Sequence, residues 1–146
     1  VGVVVEMAGR PYVAHAAPGA GPAGDDRATL EPVEAFLAPE RAERYVVLRL
    51  SGAPAVAARA AELARRYALA ATPFDDRFDA ASARRVYCTE LVWRAYREAG
   101  LDLAGGAFTD LDLPWGVTPV LLPGRLADHP RLERVAPAAG DSEDAS

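Results

Sequence analysis

One residue in this chain can act as a strong nucleophile, and it occurs once. Cys88 sits in Val86-Tyr87-Cys88-Thr89-Glu90-Leu91-Val92-Trp93. From Thr89 to Ala99 the residues Leu91, Val92, Ala95, Tyr96 and Ala99 recur at helical spacing and predict an amphipathic helix. Cys88 therefore belongs at a helix N-terminus. There the first N–H groups lack carbonyl partners and the helix dipole is positive. A thiol in such a place ionises more easily, and the thiolate is the attacking species. The same amides suit the oxyanion of a tetrahedral intermediate. The plainer role for a lone cysteine is a small buried hydrophobe. Nucleophilic work would also need an imidazole to carry protons.

The chain has two histidines. His15 lies in Tyr12-Val13-Ala14-His15-Ala16, which reads as a strand and puts Val13 and His15 on one face. His129, in Asp128-His129-Pro130, reads as exposed and without function. Asp75, Asp76 and Asp79 have carboxylate spacing that invites a calcium site. The segment lacks the mid-loop glycine and closing glutamate of such a loop, and Arg77 interrupts it. No metal and no cofactor are expected.

The elements that must carry these residues are legible in outline. Val1 to Met7 is a β-branched run that predicts a strand covered on both faces. Ala8-Gly9-Arg10-Pro11 is a turn, so Tyr12 to Ala16 returns as a hairpin. Pro18 to Asp26 reads as a loop, Leu30 to Leu37 as a short helix capped by Thr29, and Arg44 to Leu50 as a third strand in which Arg49 is solvated. Pro54 to Ala71 is the clearest helix: Pro54 fits its first turn, Thr72-Pro73 ends it, and its alanines form a close-packing face. Phe74 and Phe78 plug the core from a loop. Phe108 to Pro123 reads as irregular, and Arg125 to Val135 ends in a short strand. The expected organisation is one domain over 1–135 and a disordered acidic tail over 136–146.

Composition narrows the function classes. With 146 residues and 51% hydrophobic content the chain can bury a core. The net charge is −5 with no basic block, which argues against nucleic acid. No run approaches the roughly 20 apolar residues that span a bilayer. All sixteen basic residues are Arg, and Lys, Asn and Ile are absent, the mark of a GC-rich genome. One cysteine excludes an internal disulfide. Compartment and oligomeric state are not written in these patterns.

Taken together, Val1-Gly2-Val3-Val4-Val5-Glu6, Val13-Ala14-His15-Ala16, Pro73-Phe74-Asp75-Asp76-Arg77-Phe78-Asp79, Tyr87-Cys88-Thr89-Glu90-Leu91-Val92 and Val117-Thr118-Pro119 resemble the circularly permuted, NlpC-type papain-like hydrolases of the YiiX group. The likeness runs over most of Val1 to Val135. It implies an α+β papain-like fold, with a small antiparallel sheet packed against helices, one of them carrying Cys88 at its N-terminus. It implies Cys88 as nucleophile and His15 as the residue that orients the base. In the family pattern the base histidine stands immediately before the Val-Gly pair, so a histidine is expected directly upstream of Val1, in an N-terminal piece outside this sequence. The alternative is His15 itself as base, which requires it to reach Cys88 within roughly 2.6–3.2 Å. Thr89 replaces the family's Ser and Phe74 its Tyr. Tyr87 and Glu90 are candidate substrate-binding residues. The implied substrate is a peptide, another amide or a lipid acyl group. Two other functions fit the same layout: a thiol acyltransferase or lipid hydrolase of the lecithin:retinol-acyltransferase-like type, and a binding domain that has lost catalysis.

Overall fold

The computed structural model describes residues 1–82 and 84–135. Its elements run β1 (Val3–Met7), β2 (Arg10–Ala17), β3 (Arg27–Pro32), α1 (Val33–Phe36), β4 (Leu48–Leu50), α2 (Pro54–Leu69), α3 (Cys88–Glu98), β5 (Thr109–Leu113), β6 (Gly116–Val120), α4 (Pro123–Ala127) and β7 (Leu132–Arg134). The tail expected over 136–146 lies outside the described residues.

Three antiparallel strands in the order β1-β2-β3 form the main sheet. Val3 faces Ala14 and Val5 faces Tyr12 across one pair; His15 faces Thr29 and Val13 faces Glu31 across the other. Directly opposed residues point the same way, so the pleat sorts the side chains onto two faces. Val3, Val5, Ala14, Ala16 and Ala28 enter the core with α2 and α3. Val4, Val13, His15, Thr29 and Glu31 lie on the other face. The strand Val1 to Met7 is thus covered on one face only, and Val4 is exposed. Alternation is what an edge strand of an antiparallel sheet shows.

The alanine face of α2 works as expected. Ala60, Ala64 and Ala68 are buried and let the helix lie close to its neighbours. The residues of α3 from Thr89 to Ala95 are all buried, Trp93 and Arg94 included. From Thr89 to Ala95 the helix is enclosed on every side, where the sequence predicted a single apolar stripe. Enclosure of Arg94 is possible because its charge is paired, as described below.

Three segments depart from expectation. Leu30 to Leu37 begins as the end of β3, through Pro32, and makes a single helical turn only from Val33 to Phe36. Thr29 is a buried strand residue opposite His15, not a cap. Pairing with β2 outweighs the local helix preference here. Phe108 to Pro123 contains the hairpin β5–β6, with Leu111 opposite Thr118. Pro119 lies within it, in a two-stranded sheet where both strands have a free edge, which is where proline is tolerated. The third strand shrinks to Leu48–Leu50, paired with β7.

Candidate active site

The start of α3 is anchored from the sheet side. Phe74 N–H donates to Asp26 O at 3.0 Å, Val86 N–H to Pro73 O at 3.0 Å and Asp75 N–H to Val86 O at 3.0 Å. Residues 73–74 and 86 thereby continue the sheet beyond β3. Tyr87 is the last extended residue and Cys88 the first helical one. The Asp75 carboxylate holds its own loop, accepting from the N–H of Arg77 at 3.0 Å and of Asp79 at 2.7 Å. Its oxygens are therefore committed to backbone amides. Among the described residues no group of three or more His, Cys, Asp or Glu side chains is arranged to hold a metal ion.

Cys88 is partly exposed, flanked by fully buried neighbours. Behind it Tyr87, Thr89, Glu90 and Arg94 are all hydrogen-bonded. Glu90 Oε1 accepts from Tyr87 N–H at 3.1 Å, reaching back over Cys88. Glu90 Oε2 accepts from Arg94 Nε at 2.7 Å. The guanidinium also donates to Ala80 O, tying the helix to the loop that follows Phe78. The Tyr87 hydroxyl accepts from Leu121 N–H at 3.1 Å, and Thr89 Oγ1 donates to Leu121 O at 2.6 Å. Burial pushes the Tyr87 phenol up to about 12 and the Glu90 carboxyl up to about 7, the latter against the pull of Arg94.

This geometry changes the roles expected for two residues. Tyr87 is 1% exposed and Glu90 0%. Neither side chain is open to a substrate, and both instead hold the backbone around Cys88. Phe78 packs on Tyr87 with ring centroids 5.3 Å apart. Phe78 also lines an apolar groove of about 380 Å³ with Ala80, Ala81, Phe108, Thr118 and Pro119.

His15 is buried on β2, on the face of the sheet opposite the one that packs against α2 and α3. Its Nε2 lies 2.7 Å from Glu31 Oε1, and its ring leans on Phe36 at 4.8 Å. Arg41 grips the same carboxylate, with donors at 2.5 Å from Oε2 and 3.1 Å from Oε1. Burial holds His15 below its ordinary value despite the carboxylate, and Arg41 holds Glu31 below the usual carboxylate range. Among the described residues no hydrogen bond joins His15 to Cys88, which leaves the reading of His15 as the base without a contact. Glu31 and Arg41 were not singled out from sequence. The missed signal was the β2–β3 register: reading Thr29-Leu30-Glu31 as strand puts Glu31 on the His15 face. His129 is half-buried, with Nδ1 accepting from Arg131 N–H at 3.1 Å, and lies in a turn.

An α+β domain with a cysteine opening a buried helix beside a small antiparallel sheet is the papain-like arrangement. The family model for the permuted papain-like amidases YaeF/YiiX, the C92 family, matches residues 1–136, and the chain belongs to that family. It is similar to a solved structure from Escherichia coli O157:H7 described as the metalloprotein yiiX. Identity is 25% over 92% of this chain and 80% of the other, with a TM-score of 0.71. No curated protein matches the chain. The chain is therefore of a cysteine-hydrolase kind, and its substrates are expected among peptides and amides. None of its described helices is long and apolar enough to cross a membrane.

Proposed function

We propose that this protein hydrolyses amide bonds with Cys88 as nucleophile, a histidine immediately before Val1 as base, and His15 as the residue that orients that base. The observation that carries the reading is Cys88 as the first residue of α3, partly exposed while everything behind it is locked. Register supports the pairing of the base with His15. Extending the β1–β2 pairing places Gly2 opposite His15 and the residue before Val1 opposite Ala17, on the same face as His15. Gly2 has no side chain to intervene. A Cβ there would meet Val13 Cγ1 at 2.4 Å and His15 Cβ at 3.1 Å.

The sulfur attacks the carbonyl carbon and the base takes the thiol proton. The oxyanion is held by the N–H groups of Cys88 and Thr89, which open the helix and have no carbonyl partner within it. The Tyr87 N–H does not serve, because Glu90 holds it. The base returns its proton to the leaving amine as the C–N bond breaks, which leaves a thioester on Cys88. Water, deprotonated by the base, then releases the acid and the thiol.

The apolar groove favours a second reading, in which the acyl group is a lipid chain and the bond an ester, or the acceptor an alcohol or amine. Peptide aminocoumarin amides and p-nitrophenyl esters of rising chain length test both. They are assayed on the protein preceded by its native upstream sequence. Cys88→Ser is expected to lower turnover at least about a thousandfold. Unchanged turnover in that variant overturns the reading. Preference for long acyl esters over amides selects the lipid substrate.

A further inference from the structure

We propose that Glu31 and Arg41 are positioning residues that fix His15 as its Nε2–H tautomer and so leave Nδ1 as an acceptor for the N–H of the base. The inference rests on the reading of His15 as the orienting residue and extends it by two members.

The chemistry follows from three contacts. An ionised carboxylate is acceptor-only. Glu31 is held ionised by Arg41, which donates to both of its oxygens. The nitrogen 2.7 Å from Glu31 Oε1 is Nε2, so Nε2 carries the proton. His15 is 3% exposed, and burial favours its neutral form. A neutral imidazole with hydrogen on Nε2 has a lone pair on Nδ1. That lone pair is what an orienting residue must offer to a base that donates N–H. Phe36 against one side of the ring restricts its rotation. Arg41 also donates to Ala35 O at 3.1 Å, so the clamp is tied to α1. The tether is built from β2, β3, α1 and the segment after α1, none of which carries Cys88.

Histidine ¹⁵N labelling of the 146-residue chain reports on two residues only, His15 and His129. Long-range ¹H–¹⁵N correlation at pH 7 is expected to show His15 protonated at Nε2, with a downfield proton shielded from solvent exchange, and a bare Nδ1. Glu31→Ala is expected to lose that protected proton. Arg41→Ala, at a half-exposed position, is expected to weaken its protection while far-UV circular dichroism stays unchanged. A proton on Nδ1 in the unsubstituted chain overturns the proposal, as does an unchanged Nε2 signal in Glu31→Ala. The readout needs no catalysis. An inert Cys88 beside an Nε2–H His15 refutes the hydrolase and leaves the tether standing, whereas an Nδ1–H His15 with active Cys88 refutes only the tether. In an active protein Glu31→Ala is expected to lower kcat about tenfold or more with little change in KM.

Discussion

The Tyr87 N–H and the Glu90 carboxylate are joined at 3.1 Å across Cys88. The bond closes a small ring around the Cys88–Thr89 backbone at the first turn of α3. Arg94 holds the other oxygen of Glu90 and donates to Ala80 O, so the turn, the helix and the loop after Phe78 are tied together. The proposed mechanism needs a sulfur fixed relative to its oxyanion donors, and a buried ion pair holds the backbone around Cys88.

Breaking that pair is expected to be costly. Glu90 and Arg94 are 0% and 7% exposed. Glu90→Ala strands a buried guanidinium, and a loss of about 3–5 kcal/mol in urea unfolding is expected. Replacing both partners with leucine is expected to recover much of the loss, because no unpaired charge remains. A double variant no more stable than Glu90→Ala would contradict this.

The same carboxyl gives stability a definite pH dependence. Its folded value, about 7, is raised above the unfolded 4.5. Its contribution is full below about 4.5 and is lost as pH rises through 7, since the folded state binds the extra proton in that window. His15 works the other way. Its folded value is below 6.5, so its contribution is full above 6.5 and is lost as pH falls. Urea midpoints of the unsubstituted chain and Glu90→Gln, compared from pH 5 to 8, isolate Glu90. The unsubstituted chain is expected to lose stability with rising pH relative to the variant.

Tyr87→Phe removes one hydroxyl and leaves Leu121 N–H unpaired in the core. A cost of about 1–3 kcal/mol is expected. Phe keeps the ring contact with Phe78, so native circular dichroism should persist while the denaturation midpoint falls.

Gly2→Ala tests the register that places the base. The new Cβ would lie 2.4 Å from Val13 Cγ1 and 2.8 Å from Ala14 O. Relief requires β1 to move away from β2, and the expected cost is about 1–3 kcal/mol. Native-state hydrogen exchange should show faster exchange in β1 and β2, with α2 unchanged.

The elements with strong local signals were readable without the structure. Pro54 with its alanine face marked α2, the Ala8-Gly9-Arg10-Pro11 turn signal marked the β1–β2 hairpin, and the run after Cys88 marked α3. What was missed depends on pairing between distant segments. Leu30 to Leu37 has helical spacing, yet β2 pulls its first three residues into the sheet. Phe108 to Pro123 is rich in proline, yet its Leu-Asp alternation pairs β5 with β6. Tyr87 and Glu90 lie in the right neighbourhood, but burial makes them supports for the backbone around Cys88 where the sequence suggests contact with substrate. Glu31 and Arg41 carry no local motif, and only the β2–β3 register brings Glu31 to His15.

The central claim is that Cys88 is a working nucleophile. The direct measurement is its alkylation rate by iodoacetamide at pH 6, read by intact-mass spectrometry. The protein carries its native upstream residue and is compared, folded and in urea, with and without replacement of that residue by alanine. Faster reaction in the folded protein, lost when the upstream residue is replaced, is the result expected. Slower reaction in the folded protein than in urea would make Cys88 a sheltered structural thiol and contradict the hydrolase.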